Sequence, residues 1–147
     1  MENTSQNTIE NIENEITEEF GLFDDWMSKY EYIIELGKKL PLIDEKYKTD
    51  EYKVKGCQSQ VWLNAKMENG KLLYKADSDA IITKGLIALL IRVLSGQKPE
   101  DIVKAKMEFL DKIGMKEHLS PNRANGLNAM LKYMKNYAEI NKAQNVN

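Results

Sequence analysis

Apolar residues at Ile9, Ile12, Ile16 and Phe20 recur at helical spacing with glutamates on the other faces, which predicts a helix from Thr8 that Gly21 ends. A second helix is predicted over 24–40, with Trp26, Tyr30, Ile33, Ile34 and Gly37 on one stripe. Asp24 and Asp25 stand near its start, Lys38 and Lys39 near its end, and Pro41 stops it, each where the helix dipole or the backbone favours it. The aromatic residues of this stripe read as core. Residues 41–53 read as a charged loop. The period then drops to two: Val61, Leu63, Ala65 and Met67 alternate along a strand, and Asn69-Gly70 is a preferred two-residue hairpin turn. That turn pairs Glu68 with Lys71, Met67 with Leu72, Ala65 with Tyr74 and Leu63 with Ala76, so the apolar partners share one face.

Beyond the hairpin, residues 80–95 are apolar nearly all round and predict a central buried helix, with Asp79 as its N-cap and Gly96 just past its end. Short helical turns are expected over 99–103 and over 107–113, the second ended by Gly114. The last helix opens with Ser120 as N-cap and Pro121 at its first position, and carries Leu127, Met130, Leu131, Met134 and Ala138 as its core stripe. Helices, a hairpin and more helices, in that order, predict a single α+β domain with a small antiparallel sheet packed against several helices. The domain is expected over 8–140, between an acidic arm at 1–7 and a tail at 141–147, both expected to be disordered.

A chain of 147 residues with 42% hydrophobic and 30% charged side chains is that of an ordinary soluble domain. The longest apolar stretch, Leu86 to Ile91, is too short to span a bilayer and is flanked by Lys84 and Arg92, so no membrane association is expected. The amino terminus lacks a basic region followed by an apolar run, and its acidity argues against an organelle transit peptide. The net charge of −2 divides into −8 over residues 1–25 and +6 over the rest. The lysines are scattered with no interleaved aromatic platform, so a solvated surface is expected, not a nucleic-acid site.

The chain has one cysteine and one histidine. These are too few soft ligands for a zinc or iron–sulfur cage, and no disulfide framework is possible, which fits a reducing, cytoplasmic compartment. Cys57 is therefore either a small buried hydrophobe or a thiol that reacts outside the chain. It sits in Gly56-Cys57-Gln58-Ser59-Gln60-Val61-Trp62, a polar, glycine-hinged segment at the rim of the sheet, with Lys53 and Lys55 just upstream. Nearby cations favour the thiolate, and local composition leaves the two readings even. Gln58 and Ser59 are placed either to hydrogen-bond that thiolate or to satisfy their own turn. Trp62 reads as a packed strand aromatic that anchors the loop. Asp77 and Asp79 have the look of paired carboxylates, but helix capping explains them better. His118 permits a thiol-dependent hydrolase or transferase built on a Cys57–His118 dyad, for which no third orienting group can be identified, or it settles the loop before Ser120. Arg123 falls at the third position of the last helix, where the dipole disfavours a cation. It is either a solvated surface arginine or a group that approaches the Cys57 loop and favours its anion.

The block from Gly56 to Trp62 resembles the signature of the SufE/CsdE family of sulfur-acceptor proteins. Two further blocks agree in order and spacing, Asp77-Ser78-Asp79-Ala80-Ile81-Ile82-Thr83-Lys84-Gly85-Leu86-Ile87-Ala88 and His118-Leu119-Ser120-Pro121-Asn122-Arg123-Ala124-Asn125-Gly126-Leu127. Upstream, the segment Tyr32 to Gly37 and the pair Leu40-Pro41 also resemble the family, so the likeness runs from about Trp26 to about Tyr137. It implies a SufE/IscU-like fold and a role in sulfur relay for iron–sulfur cluster assembly. A pyridoxal-phosphate cysteine desulfurase of the SufS/CsdA kind would make a persulfide, and Cys57 would accept its sulfur, stimulate the desulfurase and pass the sulfur to a SufBCD-like scaffold. The resemblance implies a carrier without independent turnover, cofactor or metal of its own, acting as a monomer or weak homodimer. Supporting roles near Cys57 fall to Arg123, Gln58, Ser59, Asp79 and His118.

Overall fold

The alternating segment folds into a hairpin in the computed structural model, which describes residues 8–145. Strands β1 (Val61–Glu68) and β2 (Lys71–Ser78) pair antiparallel from Val61↔Ser78 to Glu68↔Lys71, which includes all four pairings expected from the turn. Asn69 and Gly70 both take positive φ, 55° and 81°, as a two-residue turn matched to strand twist requires. Val61, Leu63, Leu72, Tyr74 and Ala76 are buried on the inner face, while Ala65 and Met67 near the turn are half-buried. The outer edge of β2 is covered by flanking chain, since Ile43 N–H donates to the Ala76 carbonyl at 3.1 Å and Leu72 N–H to that of Gln97 at 3.0 Å.

Helix α1 (Ile9–Gly21) is capped by the Thr8 hydroxyl, which accepts from Asn11 N–H at 3.2 Å. Helix α2 (Trp26–Lys38) is capped by Asp25, which accepts from Ser28 N–H at 2.7 Å. Helix α3 (Ile81–Leu94) is the central element expected from its composition, with Leu86, Ile87, Leu89, Leu90, Val93 and Leu94 all buried. It crosses α2 at two glycines. A Cβ on Gly85 would stand 2.2 Å from the Ile33 carbonyl oxygen, and one on Gly37 would stand 3.0 Å from the Gly85 nitrogen, so the helices meet backbone to backbone. Arg92 of α3 holds α1 through a two-pronged pair with Glu19, at 2.7 and 2.6 Å. Tyr32 of α2 also donates to Glu19.

The carboxy-terminal part comprises α4 (Pro99–Lys104), α5 (Phe109–Lys112), α6 (Met115–His118) and the long α7 (Pro121–Asn145). Leu127, Met130, Met134 and Ala138 of α7 are buried as expected, whereas Leu131 is half-buried at the edge of the stripe. Among the described residues no helix is long and apolar enough to cross a membrane.

Several expectations need correction. The last helix continues to Asn145, so the expected tail does not begin at 141; Asn141 still donates to the Tyr137 carbonyl at 2.7 Å. The expected arm at 1–7 lies outside the described residues. The single turn expected over 107–113 is shorter, and α6 follows it after Gly114, whose φ of 76° redirects the chain. Residues 41–53 contain two 3₁₀ turns, Glu45–Tyr47 and Asp50–Tyr52. Asp79 does not cap α3. The helix begins at Ile81, Ala80 is the N-cap, and no side chain caps it.

Candidate functional site

Cys57 lies in the segment that enters β1, and this segment rests along one face of α7. Lys55 N–H donates to the Tyr133 hydroxyl at 3.2 Å, and the Cys57 thiol donates to the Gly126 carbonyl at 3.6 Å. Between these contacts Gly56 takes φ 98° and passes so close that a Cβ on it would stand 3.3 Å from Ala129 Cβ. Residues 126, 129 and 133 are spaced by three and four, one stripe of a helix, so α7 offers the loop a continuous rail. A second tie comes from Asp79, whose carboxylate accepts from Gln60 N–H at 3.0 Å and from its side-chain amide at 3.5 Å. Asp79 thus clasps the loop where it joins the sheet, which explains why it is not free to cap α3.

The thiol borders a cleft of about 380 Å³ lined by Cys57, Gln58, Ser59, Thr83, Ser120, Asn122 and Arg123 with Leu86, Gly126, Leu127 and Met130. Three of the expected supporting residues, Gln58, Ser59 and Arg123, therefore gather around Cys57. Arg123 reaches the cleft from the first turn of α7, where its N–H donates to the Ser120 hydroxyl at 3.3 Å, the expected cap. Thr83 escaped sequence reasoning. It stood inside a matching block, but nothing in its neighbours marked it as a residue of the thiol cleft.

The electrostatics run against the expectation that neighbouring cations promote the thiolate. Cys57 is half-buried, and burial pushes its pKa above the ordinary thiol value. Its partner, a backbone carbonyl, accepts from S–H and so favours the neutral form too. Both effects favour the protonated thiol over the thiolate.

The remaining candidates stand elsewhere. Asp77 forms ion pairs with Lys48 at 2.6 Å and Lys84 at 3.3 Å. Burial would raise its pKa, but the hydrogen bonds from Lys48, Ser78 N–H and Lys84 outweigh it, and the carboxyl is held below its ordinary range. Asp77 and Asp79 are accordingly neither a catalytic pair nor helix caps. Trp62 is half-buried on the outer sheet face under the Lys48 ammonium, 5.6 Å from the ring centroid, and pairs in a bridge with Lys53 upstream of the loop. His118 stacks on Trp26 with centroids 4.0 Å apart, and its Nδ1 lies 3.1 Å from the Gly114 carbonyl oxygen. Its own carbonyl accepts from the Tyr30 hydroxyl at 2.7 Å. It does not line the Cys57 cleft, and no described hydrogen bond joins it to the thiol, so the geometry offers no dyad. Among the described residues no group of three or more His, Cys, Asp or Glu is placed to hold a metal ion.

Residues 14–138 match the family model SufE, described as the Fe-S metabolism associated domain. An uncharacterized SufE-like protein of Rhizobium meliloti is 40% identical over 131 residues, which is 86% of this chain and 94% of that protein. A SufE-like protein of Synechocystis is 42% identical over 84% of this chain and 77% of its own length. The chloroplastic/mitochondrial SufE-like protein 1 of Arabidopsis thaliana is 42% identical over 84% of this chain, though over 34% of its own longer sequence. A hypothetical protein from Thermus thermophilus, solved in solution, shares the fold with TM-score 0.73 and 22% identity, covering 87% of this chain and 93% of that one. The chain belongs to the SufE family, whose domain is associated with iron–sulfur metabolism.

Proposed function

We propose that this protein is a persulfide carrier that takes sulfane sulfur from a pyridoxal-phosphate cysteine desulfurase onto Cys57 and delivers it to an iron–sulfur cluster scaffold. The observation that carries this reading is one thiol, held by the family's glycine-cysteine block at the mouth of a cleft with room beside the sulfur. In the transfer step the Cys57 thiolate attacks the outer sulfur of the donor's persulfide. A new S–S bond forms on Cys57, the donor's S–S bond breaks, and its electron pair leaves on the donor's cysteine thiolate. The exchange involves no net oxidation, so the carrier requires no redox partner or cofactor for it.

Such exchange needs the thiolate, which burial makes scarce here, yet a desolvated thiolate of high pKa is intrinsically the stronger nucleophile. A half-buried acceptor is therefore slow toward solvent oxidants and relies on a docked donor. Intact mass spectrometry after incubation with a desulfurase, cysteine and pyridoxal phosphate tests the reading. One reductant-labile sulfur per chain is expected. A chain that gains none, while the desulfurase turns over normally, overturns it.

A further inference from the structure

Thr83 breaks a local rule. It is 92% buried, with a relative exposure of 8%, and no hydrogen bond to its hydroxyl is found among the described residues. Thr17, inside α1, by contrast donates its hydroxyl to the Glu13 carbonyl one turn back at 2.9 Å. The oxygen is nevertheless not sealed off, and the residue borders the Cys57 cleft. Thr83 is also the third residue of α3, a helix of 14 residues whose N-terminus no side chain caps. The carboxylates just before it are engaged elsewhere: Asp77 with Lys48 and Lys84, and Asp79 with Gln60.

A hydroxyl that is open to solvent yet has no protein partner, on a cleft-lining residue in the first turn of a helix that no side chain caps, can donate to an anion held in that cleft. The thiol itself does not supply that anion, because its hydrogen bond runs to the Gly126 carbonyl, an acceptor. A sulfur bonded to Cys57 stands about 2 Å beyond Sγ, on the cleft side. We propose that the Thr83 hydroxyl, together with the N-terminal end of α3, is the binding site for the terminal sulfur of the Cys57 persulfide anion. This rests on the carrier reading and adds to it a residue that recognises the cargo. The acceptor on Sγ favours the neutral unloaded thiol, while the donor in the cleft favours the anionic loaded form. Leu86, Leu127 and Met130 line the same cleft and shield the terminal sulfur from water.

Thr83→Val removes the hydroxyl at constant shape, and Thr83→Ser retains it. Each variant is equilibrated with glutathione persulfide, without any desulfurase, and the ratio of persulfidated to free Cys57 is read by intact mass spectrometry. The unloaded thiol is titrated in parallel by alkylation. Losing one hydrogen bond to a charged group predicts a roughly tenfold fall in that ratio for Thr83→Val. Thr83→Ser should return to within about twofold of wild type, and alkylation of unloaded Cys57 should be unchanged in all three. Thr83→Val should melt no lower than wild type, because the hydroxyl it deletes has no protein partner. Equal loading of Thr83→Val and wild type overturns this inference alone, and so does a loss that serine fails to restore. A wild type that acquires no sulfur even from a desulfurase supplied with cysteine and pyridoxal phosphate overturns the carrier reading and this inference together.

Discussion

A methyl group added at Gly85 would land 2.2 Å from the Ile33 carbonyl oxygen; one added at Gly126 would land 3.5 Å from Cys57 Sγ. Both glycines sit on helices where another segment crosses closely, yet the two crossings are built differently. At the α2–α3 crossing, backbone meets backbone, and Ile33 and its neighbours have nowhere to go. At the α7 rail, the loop rests at ordinary van der Waals distance and is tied by a thiol-to-carbonyl bond, a weak kind of hydrogen bond. The first contact fixes the fold. The second holds the thiol in place without freezing it, as the proposed exchange of sulfur with a partner requires.

The largest expected effect separates the two crossings outright. Cys57→Ser should abolish sulfur gain and desulfurase stimulation while leaving the melting temperature within a degree or two, since one sulfur atom contributes little to the core. Full stimulation by Cys57→Ser would mean that the chain activates its partner by contact and carries nothing. Gly85→Ala should do the reverse. The overlap at 2.2 Å exceeds what rotamer changes can relieve, so a loss of about 3 kcal/mol is expected, near the upper end for overpacked cores. In a domain this size that lowers the melting temperature by roughly 10 °C. Gly126→Ala is the control and should cost under about 1 kcal/mol. Equal destabilisation by the two alanines would erase the distinction between the crossings.

Next comes the ion pair that moors α1. Glu19 lies against Arg92 and Tyr32, and its pKa is lowered chiefly by the Arg92 hydrogen bond, against the opposing effect of burial. A carboxyl lowered in the folded state contributes stability above its unfolded pKa and loses that contribution as pH falls through the folded value. Glu19→Gln should therefore cost on the order of 1 kcal/mol at pH 7, a figure kept small because the pair is a third exposed and screened. Wild type and variant should converge in acid, below the ordinary glutamate range near ~4. A gap that persists undiminished at pH 3 would assign the effect to packing.

The hairpin was legible because its information is local: a period of two and an Asn-Gly turn leave one register that puts every apolar partner on one face. The central helix and the Ser120 cap were legible for the same reason. What escaped depends on residues far apart in the chain. Trp26 and His118 stack across the α2 start and the α6 end, and Arg92 reaches Glu19 across 73 positions. Asp79 was misread because spacing alone places an acid near a helix start without saying which way it turns, and here it turns back to Gln60. Cys57 was found by its motif and its company. Its charge state was not, because the cations that mattered in sequence, Lys53 and Lys55, are outweighed by a burial that only the fold reveals.

The smallest expected effect concerns that charge state and the one arginine in the cleft. If burial governs the unloaded thiol, native alkylation of Cys57 should show a midpoint above the ordinary ~8.5 and return to that value in denaturant. A thiol raised in the folded state favours folding while it stays neutral, and this advantage fades as pH climbs past the unfolded value, because the unfolded chain ionises first. Arg123 borders the same cleft, but the sulfur's hydrogen bond runs to the Gly126 carbonyl oxygen. Arg123→Ala should therefore change the alkylation rate of the unloaded thiol by less than about threefold, equivalent to under half a unit in pKa. A midpoint that moves by a full unit would show that the cleft's cation controls the bare thiol. The loop would then be an electrostatic device before any sulfur arrives, and the contrast between a neutral empty state and an anionic loaded one would fall.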